Sequence, residues 1–155
     1  ILGWSSDKKR TIEKPNVEKL RAFTEVFVGN HWKKEKLGLA PSWSAIHTDF
    51  RKIPNYDKQG VYAFVKGDEI TYIGAGTSRG GGLYRGNGLS ARVMKYCRWI
   101  DKSKDIYGAV DDRLKEAGAI VTIGFEQEHA YLANALEIYL ISRLHPKYNY
   151  IKTGM

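Results

Sequence analysis

The stretch 60–76, "GVYAFVKGDEITYIGAG", limits the fold more than any other part of the chain. Two runs of β-branched and aromatic residues flank the turn-forming "KGDE", which predicts a β-hairpin. Each arm carries a tyrosine. In an extended strand Tyr62 shares a face with Phe64, and Tyr72 shares one with Ile70. Whether both phenols share a face depends on the parity of the turn. An even four-residue loop separates them, whereas an odd loop, Lys66-Gly67-Asp68, pairs Tyr62 directly with Tyr72. The odd loop is the expectation, with Gly67 supplying the unusual backbone angle. Taken singly, each tyrosine is also accounted for by packing on a half-buried strand.

Around the hairpin, Val17, Leu20, Phe23, Val26 and Phe27 recur at helical spacing within 16–38. Pro15 and Asn16 suit the start of that helix, and Gly29 or Gly38 its end. Segment 39–59 has two prolines and little periodicity, and reads as a connection with one candidate helical turn around 43–50. A glycine-rich loop spans 76–88. "LSARVMKYCRWI" (89–100) predicts a helix with Leu89, Val93, Tyr96, Cys97 and Ile100 in one stripe. "AVDDRLKEAG" predicts a second helix closed at Gly118. "AIVTIGF" (119–125) reads as a third strand, and "EHAYLANALEIYLISRLHP" as the longest helix, stopped at Pro146. The fold class expected is α+β: a small central sheet built on the Tyr-bearing hairpin plus a third strand, flanked by helices.

The 155 residues suffice for one domain with a modest core. A hydrophobic content of 43% argues against disorder. No apolar run approaches the roughly 20 residues that span a bilayer, and the first ten residues lack the apolar centre of a secretory signal. Cys97 is the lone cysteine, which fits a reducing, intracellular setting such as cytoplasm or nucleoid. The four histidines show no close metal-ligand spacing, which sets zinc aside. With 25 Lys and Arg against 17 Asp and Glu, the net charge of +8 draws the chain to polyanions, nucleic acid first. A solvated basic surface accounts for the same charge.

Two charged residues stand at odd positions. Glu137 has Ala133 at i−4, Leu140 at i+3 and Ile141 at i+4, so it projects from or beside an apolar stripe. A carboxylate there is costly unless a cation or hydrogen bonds compensate. It is either half of a buried ion pair with an arginine, or a metal ligand or general base at the edge of the core. Arg92, between Leu89 and Tyr96, flanks the stripe of the earlier helix and can fork onto a phosphate or carboxylate; a snorkelling surface arginine is the plainer alternative.

"GVY" followed by "YIG" about ten residues later resembles the signature of the GIY-YIG nuclease superfamily. The same order continues with Arg92 in "LSARVMKY", Glu137 in "ANALEIYLISRLHPKYN" and Asn149 after "HPKY". The resemblance covers about 60–149; residues 1–58 form a helical extension and connecting segment, and 59–155 the catalytic unit, packed as one compact domain. The loop before the arginine helix is longer than is usual in that family, and Tyr96 stands where some members carry histidine.

The resemblance implies a metal-dependent DNA endonuclease that leaves a 5′-phosphate and a 3′-hydroxyl. Glu137 would hold one Mg²⁺ (or Mn²⁺), whose remaining ligands are waters and substrate phosphate. Tyr62 would be the general base, and because a phenol titrates near 10 it needs nearby positive charge to work at neutral pH. Arg92, Tyr72 and Tyr96 would orient water and phosphate. Asn149 would brace the glutamate helix or a neighbouring side chain. Arg79 and Arg85 in the glycine-rich loop, with Lys95, would contact the DNA, duplex or branched. Two other classes stay open: a catalytically silent nucleic-acid-binding module of the same fold, and a nucleotide-binding enzyme using the glycine loop, whose G-x-G-x-x-G spacing is missed.

Overall fold

The structure, a computed structural model, describes residues 14–78 and 88–151. The elements run α1 (Val17–His31), α2 (Lys34–Leu37), β1 (Gln59–Lys66), β2 (Glu69–Gly76), α3 (Leu89–Met94), β3 (Cys97–Asp101), β4 (Ile106–Ala109), α4 (Asp112–Ala117), β5 (Ala119–Phe125), α5 (Tyr131–Leu144) and α6 (Lys147–Ile151). A single 3₁₀ turn, Gln127–His129, precedes α5. The fold is α+β, with a small antiparallel sheet flanked by helices.

The main sheet has the order β2-β1-β5, every pair antiparallel. β1 lies in the centre and is buried on both faces, as its near-continuous apolar sequence requires. Val61, Ala63 and Val65 point into a core shared with α1 and α5, where Leu20, Phe27, Leu136 and Leu140 pack. Tyr62 and Phe64 point the other way, into a second cluster with Tyr72, Leu89, Val93, Cys97, Leu114 and Ile120. The N-terminal helix is therefore part of the main core. Asn16 caps it as expected, its Oδ1 accepting from Lys19 N at 2.8 Å.

Both outer edges of this sheet are covered. Beside β5, Ser44 N donates to Thr122 O, and His47 exchanges backbone hydrogen bonds with Ile120. The expected helical turn at 43–50 is thus replaced by extended chain that satisfies an otherwise open edge. Beside β2, Val17 N donates to Asp68 O and Ile70 N to Pro15 O. Further along the same edge, the Asn149 side chain accepts from Ile73 N at 2.9 Å and donates to Ile73 O at 2.8 Å, so one amide does the work of a strand residue.

Three further expectations need correction. The helix begun at Leu89 stops at Met94, and 97–101 is strand β3, paired with β4. Tyr96, Trp99 and Ile100 favour a strand, and the Asp101 carboxylate accepts from Ser103 N and Lys104 N in the turn. α1 at 15 residues is longer than α5 at 14. The hairpin turn is not odd: Lys66 pairs with Glu69 across a two-residue turn, Gly67-Asp68. Gly67 has φ 66°, where a type II′ turn takes its positive angle.

Candidate active site

An even turn alone would put the two hairpin phenols on opposite faces. A β-bulge restores them to one. Val65 pairs with Ile70 but Phe64 pairs with Tyr72, so Thr71 is an extra residue on β2 and shifts the phase of everything after it. Tyr62 then faces Gly74 rather than Tyr72, and the two rings lie on one face with centroids 6.3 Å apart. A Cβ at Gly74 would stand 2.5 Å from Tyr62 Cζ. The glycine of the second motif is the space that the tyrosine of the first one fills.

Tyr62 and Tyr72 belong to a group of four rings with Phe64 and Tyr96. The Tyr62 and Tyr96 hydroxyls are 2.8 Å apart. Tyr96 does not sit on a helix one turn after Arg92. It occupies the turn after α3, where its carbonyl accepts from Val110 N and Asp111 N. Asp111 in turn grips Arg113 through Nε at 3.0 Å and Nη2 at 2.9 Å. The guanidinium so fixed stacks over the rings of Tyr72 (4.8 Å) and Tyr96 (5.3 Å). Sequence reading did not single out Arg113. Its signal was weak, an arginine two residues after the aspartate that caps α4.

A cleft of about 850 Å³ opens at the end of the hairpin away from the turn. Tyr62, Tyr72, Arg92 and Glu137 all line it, so the structure brings together four of the six residues expected at the catalytic centre. Tyr96 stands behind Tyr62, and Asn149 braces the β2 backbone rather than the glutamate helix. Lys95 is exposed and is not part of the lining. Arg79 and Arg85 lie outside the described residues. Among the described lining residues the charged side chains are one guanidinium, Arg92, and two carboxylates, Glu128 and Glu137.

Glu137 lies beside the buried stripe Ala133, Leu136, Leu140 and Leu144 of α5 and is half-buried. Burial raises its carboxyl above the usual glutamate value, opposed by the charge of Arg92 and by the Ala75 backbone amide. Among the described residues no salt bridge is formed to it, and Arg92 acts on it as a neighbouring charge. Tyr62 is 1% exposed. Burial holds its phenol well above 10, the neighbouring phenols of Tyr96 and Tyr72 push it further, and Arg92 counteracts. Its neutral form is therefore favoured.

The remaining lining is of another kind. Gln59, Thr77, Ser78, Gln127, Tyr131 and Asn134 offer amides, hydroxyls and one ring. Among the described residues no three His, Cys, Asp or Glu side chains cluster as a metal site. No described helix is long and apolar enough to cross a membrane. Compared with protein-family models, curated proteins and solved structures, the chain finds no significant match.

Proposed function

We propose that the chain is a metal-dependent DNA endonuclease of GIY-YIG type. The observation that carries this reading is the convergence of Tyr62, Tyr72, Arg92 and Glu137 on one cleft from four separate elements. The donor set fits a sparsely ligated hard cation: one half-buried carboxylate with no ion-pair partner among the described residues, facing a roomy polar cleft. Glu137 would hold Mg²⁺ or Mn²⁺, which when bound would neutralise the scissile phosphate and stabilise the leaving 3′ oxygen. Arg92 would fork onto the phosphate. Tyr72 would orient the attacking water, and Tyr96 would fix the Tyr62 hydroxyl through their hydrogen bond. For Tyr62 to accept the water's proton, positive charge beyond Arg92 must enter the cleft, since burial opposes the phenolate. That burial is also what favours the second reading, a binding module that keeps the architecture without the chemistry.

The test is plasmid nicking with and without Mg²⁺, by the parental chain and by Glu137→Gln. The parental chain nicks only with the metal. The variant keeps its shape, loses the charge that holds the cation, and stops cutting. Its melting temperature stays level or rises, because a desolvated charge is gone. A folded variant that cuts at the parental rate removes Glu137 from the mechanism. A parental chain that binds DNA and never nicks it establishes the binding module.

A further inference from the structure

The cleft lining has two chemically different parts, and the nuclease reading uses only Tyr62, Tyr72, Arg92 and Glu137. The other part, the outer half, is made by Gln59, Thr77, Ser78, Gln127, Tyr131 and Asn134, whose polar groups are neutral, with the exposed Glu128 beside Gln127 in sequence. Side-chain amides match the edges of nucleobases, which present a donor beside an acceptor.

These amides are held in place. Thr77 Oγ1 donates to Asn134 Oδ1 at 3.0 Å, which orients the Asn134 amide and leaves its NH₂ to donate to an acceptor such as a purine N7 or a pyrimidine carbonyl. Ser78 N donates to Gln59 Oε1 at 2.7 Å, and Gln59 is itself 3% exposed. Beside them Tyr131 is 65% exposed, on the first turn of α5. It belongs to neither hydrophobic cluster, so packing does not explain it. Tyr131, Asn134 and Glu137 follow at three-residue intervals along one flank of α5. The rise from Tyr131 to Glu137 is about 9 Å, comparable to the extent of one nucleotide.

We infer that the outer half of the cleft is a nucleobase subsite, in which Tyr131 stacks on the base and Asn134 donates to its edge. The inference rests on the nuclease reading for the fate of the adjoining phosphate, but the subsite itself requires only binding. A base that stacks on Tyr131 with its edge on Asn134 cannot also stay stacked and paired in a duplex, so the nucleotide beside the cut must be unpaired or flipped out. The substrate class is accordingly DNA with a single-stranded, flap or mismatched nucleotide at the cleavage point.

The experiment compares binding of deoxynucleoside 5′-monophosphates with that of 2-deoxyribose 5-phosphate, at low and at physiological salt. Stacking of one base is expected to tighten binding roughly ten- to hundredfold, and this preference should survive added salt. Tyr131→Ala should erase the preference while Tyr131→Trp retains it; the side chain is exposed, so both variants fold. Equal binding of the two probes, or a preference that persists in Tyr131→Ala, overturns the subsite. A second arm uses a flap oligonucleotide with an abasic residue placed at each position around the cut. If the chain cuts and no abasic position matters, the subsite fails and the nuclease reading stands. If the chain prefers nucleotides through Tyr131 but never cuts, the nuclease reading fails and the subsite stands.

Discussion

Replacing Gly74 by alanine tests the central geometric claim about the hairpin without reference to activity. The new Cβ would sit 2.5 Å from Tyr62 Cζ and 3.0 Å from its Cε1, where carbon atoms normally keep about 3.5–4.0 Å. The ring must therefore retreat by about 1 Å. It has little room to do so: Phe64 and Tyr72 wall it at centroid distances of 5.7 and 6.3 Å, and its hydroxyl is tied to Tyr96. Overpacking of this kind costs about 1–3 kcal/mol. For a chain of this length each kcal/mol lowers the melting temperature by about 2–4 °C, so the expected drop is about 2–12 °C. The same substitution in a Tyr62→Leu background, where Cζ and the hydroxyl are gone, should cost almost nothing. Calorimetry on the four chains of this double-mutant cycle gives the coupling directly. A Gly74→Ala cost that is the same in both backgrounds refutes the reasoning, because the strain would then lie elsewhere than under Tyr62.

Asn149→Ala leaves the buried Ile73 N–H and C=O without their partners, and at about 0.5–1.5 kcal/mol per hydrogen bond it should cost about 1–3 kcal/mol, read as a lower melting temperature. Arg113→Gln removes the cation stacked on Tyr72 and Tyr96, a contact worth about 0.5–2 kcal/mol, so the melting temperature should fall, while an unchanged melting curve would make the stacking incidental. The raised Tyr62 phenol has a definite sign: the folded state holds the proton longer than the unfolded one, so its contribution is complete below about pH 10 and is lost as pH rises through the folded value. Alkaline unfolding should therefore begin near pH 10 and be delayed in Tyr62→Phe, as followed by phenolate absorbance together with circular dichroism.

What the sequence made legible follows physical range. The strands at 59–66, 69–76 and 119–125 are marked by short β-branched and aromatic runs bounded by turn residues, and the helix bearing Glu137 by its apolar content and the stop at Pro146; they form as read. The capping of α1 by Asn16 is equally local. β3 was misread because Leu89, Val93 and Cys97 satisfy a helical stripe, while the pairing with β4 that decides the matter lies across a turn. Asn149 is expected to brace the glutamate helix or a neighbouring side chain, but its partner is a backbone edge 76 residues away, which no local pattern encodes. Arg113 and Tyr131 passed unnoticed for the same reason: one matters through rings on other elements, and the other by facing a cleft. Of the four cleft residues only Glu137 stands out by its place beside an apolar stripe; Tyr62, Tyr72 and Arg92, each explicable alone by packing or snorkelling, are picked out by the order of the motifs along the chain.

The extra residue at Thr71 has a consequence for transplanting this site into another scaffold. Tyr62 and Tyr72 are ten positions apart, and through a two-residue turn that interval would send their side chains to opposite surfaces. Distance along the chain is thus a misleading ruler here. A graft that copied the strand lengths, the Gly67-Asp68 turn and both motifs, but smoothed the irregularity between Phe64 and Val65, would build a faultless hairpin with a dismantled centre. The turn could be exchanged for any two-residue turn of the same hand without disturbing the phenols, whereas deleting one threonine, which itself lines no part of the cleft, would send them to opposite faces.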